Sequence, residues 1–300
     1  MNSQPIVREG APSETSAVAT RLSPCALACP ICNTQDWEYA RRVRGAWISK
    51  CVHCGLLGTT DFLKGFSTIQ GLYETPPEHH AEYREQYLSS RLASYERAIV
   101  NFDRFRKKGL LLEVGCSYGY FLETARRAGW NAEGIEISNC PCQVSRSKGF
   151  KVYQNDLCDL PLTAESFDVI AMWDVIEHLT DVEKIVKCCA TLLRPGGALI
   201  ARTPDARALL FTDGFMGAAY RHLAYPANTA EHVFHFTPET LSALMAKAGL
   251  REVEVDTRGG WEECVVSGRN SLVRAGRHLI LRYAYAKGWP YEFVITAVKR

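Results

Sequence analysis

The 300-residue chain reads as an α/β protein: a doubly wound, mostly parallel sheet preceded by a small cysteine-bearing module. Three observations predict this. From Gly109 onward, short apolar runs alternate with helical stretches of about 10–15 residues, the pattern of βαβ units. The chain is 47% hydrophobic and 23% charged, enough apolar material for a sizeable core. Ahead of the alternating part, four of the twelve cysteines are paired as CxxC…CxxC. The net charge of +2 lacks the basic excess of a typical nucleic-acid binder. No apolar run reaches the ~18 residues that span a bilayer. Residues 1–20 carry no apolar signal-peptide core, so a cytoplasmic location is expected, where a disulfide framework is not.

Four segments follow in order. Residues 1–24, rich in Ser, Ala, Thr and Pro, read as a flexible tail. Residues 25–60 hold the cysteine pairs. Residues 61–107 form a helical connector, with Tyr83, Tyr87, Leu88, Leu92, Tyr95 and Ile99 at helical spacing. Residues 108–300 form the α/β domain. Its strands are expected at Leu110–Val114, Trp130–Ile137, Lys151–Tyr153, Val169–Trp173, Ala198–Arg202, Arg251–Val255 and Phe293–Val298. Helices are expected at Tyr118–Ala128, stopped by Gly129; Asp181–Leu193, stopped by Arg194-Pro195-Gly196-Gly197; and Pro238–Ala248, stopped by Gly249 and N-capped by Thr237.

In Cys29-Pro30-Ile31-Cys32 and Cys51-Val52-His53-Cys54, each pair sits on a tight turn that presents two thiolates to one side. Two such knuckles close a tetrahedron of sulfurs, the donor set of a structural zinc site with no open position. The spacer of residues 33–50 suits this pattern. Gly55 and Asn33, which follow the knuckles, tolerate the left-handed backbone such turns need. His53 reads as a bystander. A segment this short cannot build a sufficient core, so the metal would hold it together.

Leu111-Leu112-Glu113-Val114-Gly115-Cys116-Ser117-Tyr118-Gly119 reads as a strand, a glycine turn and a helix start. The turn lets a ligand approach the backbone closely. Glu113, just before it, would repel a pyrophosphate and suits a ligand carrying positive charge. Glu136 ends the second strand, where an acid binds ribose hydroxyls in a doubly wound fold. Asp156 follows the third strand and is placed to accept from an adenine amino group.

The ordered set Glu113-Val-Gly-Cys-Ser-Tyr-Gly119, Gly134-Ile-Glu136, Asn155-Asp156-Leu157, Phe167-Asp168-Val-Ile-Ala-Met-Trp-Asp-Val-Ile-Glu-His178-Leu and Leu193-Arg-Pro-Gly-Gly197 resembles the class I S-adenosylmethionine-dependent methyltransferases over about residues 108–300. The stretches Trp173–Leu179 and Glu231–Glu239 are similar to the ubiquinone-type O-methyltransferases, whose broad subgroup often carries a CPxC…CxxCG ribbon in front. The resemblance implies that Gly115, with Glu113, Cys116, Ser117 and Gly119, cradles the methionine part of the cofactor. Glu136 would hold the ribose, Asp156 and Leu157 would contact adenine, and Trp173 and Asp174 would complete the cofactor-binding positions. Ser117 departs from the family's second glycine but is small. In the ubiquinone-type enzymes the acidic-x-x-Glu-His segment can hold a divalent ion, which here places one at Asp174, Glu177 and His178.

A methyl transfer needs donor, methyl and acceptor in line, and a base when the acceptor is a hydroxyl. His178, His232 and Glu177 are the catalytic candidates, and His235 reads as packed. The aromatic-rich residues 206–230, including Phe211, Phe215, Met216, Tyr220 and Tyr225, are expected to form a substrate lid. The expected acceptor is a small molecule or glycan precursor, methylated on oxygen. The alternatives are carbon- or nitrogen-directed transfer, an RNA methyltransferase gripping its substrate through Arg41, Arg42, Arg44 and Lys50, and a non-catalytic scaffold. Net charge does not favour a nucleic-acid partner.

Overall fold

The computed structural model describes residues 21–22, 25–43, 45–65, 91–210, 229–257, 271–286 and 290–300. Tyr83, Tyr87 and Leu88 of the connector, Arg44, and the lid residues Phe211, Phe215, Met216, Tyr220 and Tyr225 lie outside the described residues.

Period-two alternation organises the α/β part. Strands β5 (Leu110–Val114), β6 (Asn131–Ile135), β7 (Lys151–Tyr153), β8 (Phe167–Trp173), β9 (Leu193–Pro204), β11 (Leu250–Asp256) and β12 (Glu292–Lys299) form one sheet in the order β11-β12-β9-β8-β5-β6-β7. β7, β6, β5, β8 and β9 run parallel, and β12 lies antiparallel between β9 and β11. Successive side chains point to opposite faces. Leu111, Val169, Ala171, Trp173, Ala198 and Ile200 build one core cluster, and Leu112, Ile170, Met172, Leu199 and Ala201 build the other. Buried on both faces, these strands read as continuous apolar runs, as central parallel strands do.

Helices α3 (Tyr120–Arg127), α4 (Asn139–Ser147) and α5 (Val182–Leu192) cross between parallel strands. α4 has no apolar stripe in the sequence and carries Pro141 in its first turn, where proline is tolerated; it was not expected. Helix α8 (Ser271–Ala286) was likewise not expected. β9 starts earlier than the sequence implied. Phe167 pairs with Leu193 but Val169 with Ala198, so Arg194–Gly197 form an irregularity within the strand rather than a turn before it.

The connector is pinned from below. Asp168, fully buried, accepts from the backbone N–H groups of Lys107, Lys108 and Gly109 at 3.0, 2.7 and 2.6 Å. Arg194 pairs with the same carboxylate and donates to the Phe105 carbonyl. Buried donors and acceptors are thereby matched. The Phe-Asp and Arg-Pro-Gly-Gly motifs are an anchor for residues 91–105, helical over 91–100 (α2).

The cysteine module is a second, antiparallel sheet in the order β1 (Arg21–Leu22), β2 (Trp37–Val43), β3 (Ala46–Cys51), β4 (Leu57–Thr59) and β10 (Phe234–His235). Its last strand comes from the α/β part of the chain. Trp37, Leu56, Phe62 and Leu63 share one core with Phe234, Phe236 and Leu241. Lys247, at the end of helix α7 (Pro238–Lys247; the turns Thr60–Leu63 and Arg207–Leu210 are α1 and α6), donates to the Pro30 carbonyl, Asn33 and Glu183. Thr237 caps α7 in a capping box with Thr240, as the sequence implied.

One cysteine pair departs from expectation. Cys158, after β7, and Cys188, on α5, are joined by a disulfide across a sequence separation of 30. Neither position carries a motif, so only the packing of α5 against the turn Leu157–Asp159 brings them together.

Candidate active site

β5 ends at the switch point of the sheet, with β6 on one side and β8 on the other, where ligands bind in doubly wound folds. The backbone turns away through Gly115 (φ 74°), Ser117 (φ 46°) and Gly119 (φ 76°). A Cβ on Gly115 would lie 2.5 Å from Val175, and one on Gly134 would lie 2.5 Å from the Cys116 sulfur. Ser117 thus holds a left-handed conformation that favours glycine. It is fixed by its N–H donating to Glu136 at 2.8 Å and its carbonyl accepting from Ser145 at 2.7 Å.

The resulting cleft is lined by Glu113, Gly115, Cys116, Ser117, Tyr95, Tyr120, Phe121 and Trp173. Glu113 is almost fully buried, and its Oε2 has no partner among the described residues. Burial, reinforced by Glu136, raises its pKa well above the usual range. A buried carboxyl with one oxygen left without a partner among the described residues, at the floor of a cleft, fits a ligand that brings positive charge or donors. Glu136 accepts from Ser117 N and Ser138 N, one on each oxygen, at 2.8 Å. Each oxygen keeps a lone pair for a hydroxyl.

Asp156 is exposed and accepts from Cys158 N at 2.9 Å, capping the turn that buries Leu157; neither lines the cleft. Tyr95, Tyr120 and Phe121 were missed as lining residues. Tyr95 carried only a helical-spacing signal, which any core aromatic shares.

Asp174 (φ 56°) turns away from the cleft. It accepts from Arg202 Nη2 at 2.6 Å and Nε at 3.1 Å, and pairs with Arg91 at 2.9 Å. Burial alone would raise its pKa; the two arginines outweigh this and hold it below the usual range. A divalent ion on Asp174, Glu177 and His178 therefore does not fit, because the first carboxylate is already neutralised by two guanidinium groups.

The structure joins Glu177 and His178 to His232 instead. Their candidate ligand atoms all lie within 4.8 Å of one another, and all three residues are buried. The rings of His178 and His232 meet edge to face at 4.7 Å. Thr203 is a polar neighbour of Glu177, yet neither carboxyl oxygen is hydrogen-bonded among the described residues. Burial, with the Asp174 charge adding, pushes the Glu177 pKa up to about 8. Burial also lowers His178, and His232 falls well below the ordinary imidazole range. At neutral pH the cluster is uncharged. His178 Nδ1 lies 3.3 Å from the Glu231 carbonyl, which can only accept. Nδ1 therefore carries the proton, which makes Nε2 the accepting nitrogen of this tautomer.

The four ribbon sulfurs also converge. Cys29 and Cys54 are 3.4 Å apart, and Cys32 and Cys51 are 3.5 Å apart. A tetrahedral zinc–thiolate site has edges of about 3.8 Å. Asn33 (φ 62°) and Gly55 (φ 78°) adopt the left-handed conformation expected after each knuckle. The hydrogen bond between the two thiols lowers Cys54 to about 5 and raises Cys29, whose burial adds to the rise.

A family model described as a methyltransferase domain matches residues 80–255. The ubiquinone biosynthesis O-methyltransferase of Ralstonia nicotianae is 30% identical over 169 residues, covering 54% of this chain and 70% of that protein. The Cupriavidus pinatubonensis protein of the same name is 30% identical over 48% of this chain and 61% of its own length. Among solved structures, the Haemonchus contortus phosphoethanolamine N-methyltransferase 2 superposes with a TM-score of 0.57 at 15% identity, covering 93% of this chain and 71% of that one, and shares the fold. The chain belongs to the methyltransferase family, as an S-adenosylmethionine-dependent member.

Proposed function

We propose that this chain methylates a hydroxyl oxygen of a small-molecule or glycan-precursor acceptor, with His178 as the general base. The observation that carries the reading is the uncharged, buried Glu177–His178–His232 cluster on the segment that leaves the cleft wall at Trp173. S-adenosylmethionine, when bound, supplies an electrophilic methyl on a sulfonium. Glu113 and the Gly115–Gly119 backbone would hold its methionine part, Glu136 its ribose, and Asp156 with Leu157 its adenine. Trp173, packed at 5.0 Å against Phe121 and 5.3 Å against Tyr95, keeps water from the cleft wall. His178 Nε2 accepts the hydroxyl proton as the oxygen becomes nucleophilic. His232 braces the imidazole edge to face, and neutral Glu177 adds no opposing charge.

Two relatives whose names specify O-methylation support oxygen as the target. The test is transfer of labelled methyl to components of a cell extract, followed by mass spectrometry. A label on oxygen of a small molecule supports the reading; a label on RNA or on nitrogen refutes it. The four ribbon cysteines would hold one structural zinc. Elemental analysis of protein purified without chelator should find about one zinc per chain, and a content near zero overturns this assignment.

A further inference from the structure

Strand β10 begins two residues after His232, and it belongs to the cysteine ribbon's sheet, paired with β4 through Phe234↔Gly58 and His235↔Leu57. Where the two parts meet stands one hydroxyl. Thr59 Oγ1, buried at the end of β4, lies 2.7 Å from the His232 carbonyl and 3.0 Å from His235 Nε2. A carbonyl only accepts, so the single Thr59 proton goes to His232. The hydroxyl must then accept from His235, whose Nε2 carries a proton. His235 Nδ1, buried and without a partner among the described residues, is the bare nitrogen of that tautomer. The backbone doubles the link: Thr59 N donates to the Val233 carbonyl at 3.0 Å, and Val233 N donates to the Glu177 carbonyl at 2.8 Å. His232 is thus strung between the ribbon on one side and the Glu177 turn on the other.

We propose that Thr59 is a positioning residue for the histidine pair, and that the cysteine ribbon serves methyl transfer by splinting His232 against His178 through this hydroxyl. The proposal rests on the histidine reading above. It assigns the ribbon a role inside the enzyme rather than in gripping a substrate. The chain His235 Nε2–H to Thr59 Oγ1–H to His232 carbonyl polarises in one direction, which fixes both the ring of His235 and the backbone that carries His232.

The test is nitrogen NMR of the full chain with labelled histidine. In the wild-type protein, His235 is expected to be protonated at Nε2; protonation at Nδ1 overturns the proposal without any variant. Thr59→Val keeps the shape and removes the hydroxyl. It should move the His232 and His235 ring signals, leave cofactor affinity by calorimetry within about twofold, and slow methyl transfer at saturating cofactor by about tenfold, the effect of one hydrogen bond. Thr59→Ser should restore both signals and rate. Unmoved signals in Thr59→Val overturn the proposal. Moved signals with an unchanged rate overturn it as well, since the hydroxyl would then position nothing the reaction uses. Whether His178 or His232 is needed at all is decided separately by replacing each with alanine, so failure of the base assignment is distinguishable from failure of the splint.

Discussion

Asp174 and Glu177 stand three residues apart in one turn, yet they sit in opposite electrostatic regions. Around Asp174 the protein has built a charged latch. Arg202, fully buried, and Arg91 flank the carboxylate, Ser94 lies 3.3 Å from Arg202 Nη1, and Glu292 lies 3.6 Å from Arg91. Arg202 also lies over the faces of Trp173 at 5.3 Å and Tyr95 at 5.8 Å, both cleft-lining residues. Around Glu177 burial outweighs the pull of Arg202: two imidazoles are kept neutral by burial, and the carboxyl keeps its proton. The contrast teaches that carboxylates within one motif take their protonation from what packs against them. Ionised Asp174 ties α2 over the cleft; protonated Glu177 makes room for a neutral histidine base.

Breaking the latch should have the largest effect. Asp174→Ala leaves Arg202 buried beside one fewer counter-charge, and should cost about 3 kcal/mol in urea-induced unfolding, since stranding half of a buried pair is costly. An unchanged midpoint and slope would show that Glu292, near both Arg91 and Arg202, suffices as their counter-charge.

On the neutral side, His178→Ala should lower turnover by at least about 10²-fold while cofactor affinity by calorimetry stays nearly constant. A base acts on the acceptor's proton in the transition state and touches the sulfonium little. Joint loss of thermal stability and cofactor binding would mark His178 as structural instead.

The smallest effect separates the two carboxyls by pH. Glu177 has its pKa raised in the folded state, to about 8. Its contribution is therefore full at low pH and is lost as pH rises toward 8. His178 and His232, with lowered values, behave oppositely and lose theirs as pH falls below about 6.5. Between pH 6.5 and 8 the cluster's pH dependence comes from Glu177. Wild-type stability should fall there by on the order of 1 kcal/mol from Glu177, and Glu177→Gln should make the descent shallower, leaving whatever part belongs to the raised Glu113. A descent of equal size in the Gln variant would place the titrating group elsewhere.

How far each region was legible in the sequence follows from its span. The switch-point turn is local. Glu113, Gly115, Ser117 and Gly119 lie within seven consecutive residues, and backbone geometry there dictates residue type. The two cysteine knuckles are local in the same way, and their left-handed Asn33 and Gly55 follow from chain sterics. Apolar runs gave the parallel strands, because strands buried on both faces need no partner information to look apolar.

What only the tertiary structure decided is every pairing that closes over a long loop. Local spacing made Asp174 the companion of Glu177 and His178; packing gave it to Arg202 and Arg91 and put His232 in its place. The ribbon read as a self-contained bead; packing completed its sheet with β10 and hung a histidine from Thr59. Cys158 and Cys188 carried no spacing signal and met because α5 docks on the turn after β7. The physical reason is common to all three. Turn geometry and periodicity are properties of neighbouring residues, whereas the partner of a buried charge, ring or thiol is set by which elements the whole core brings together.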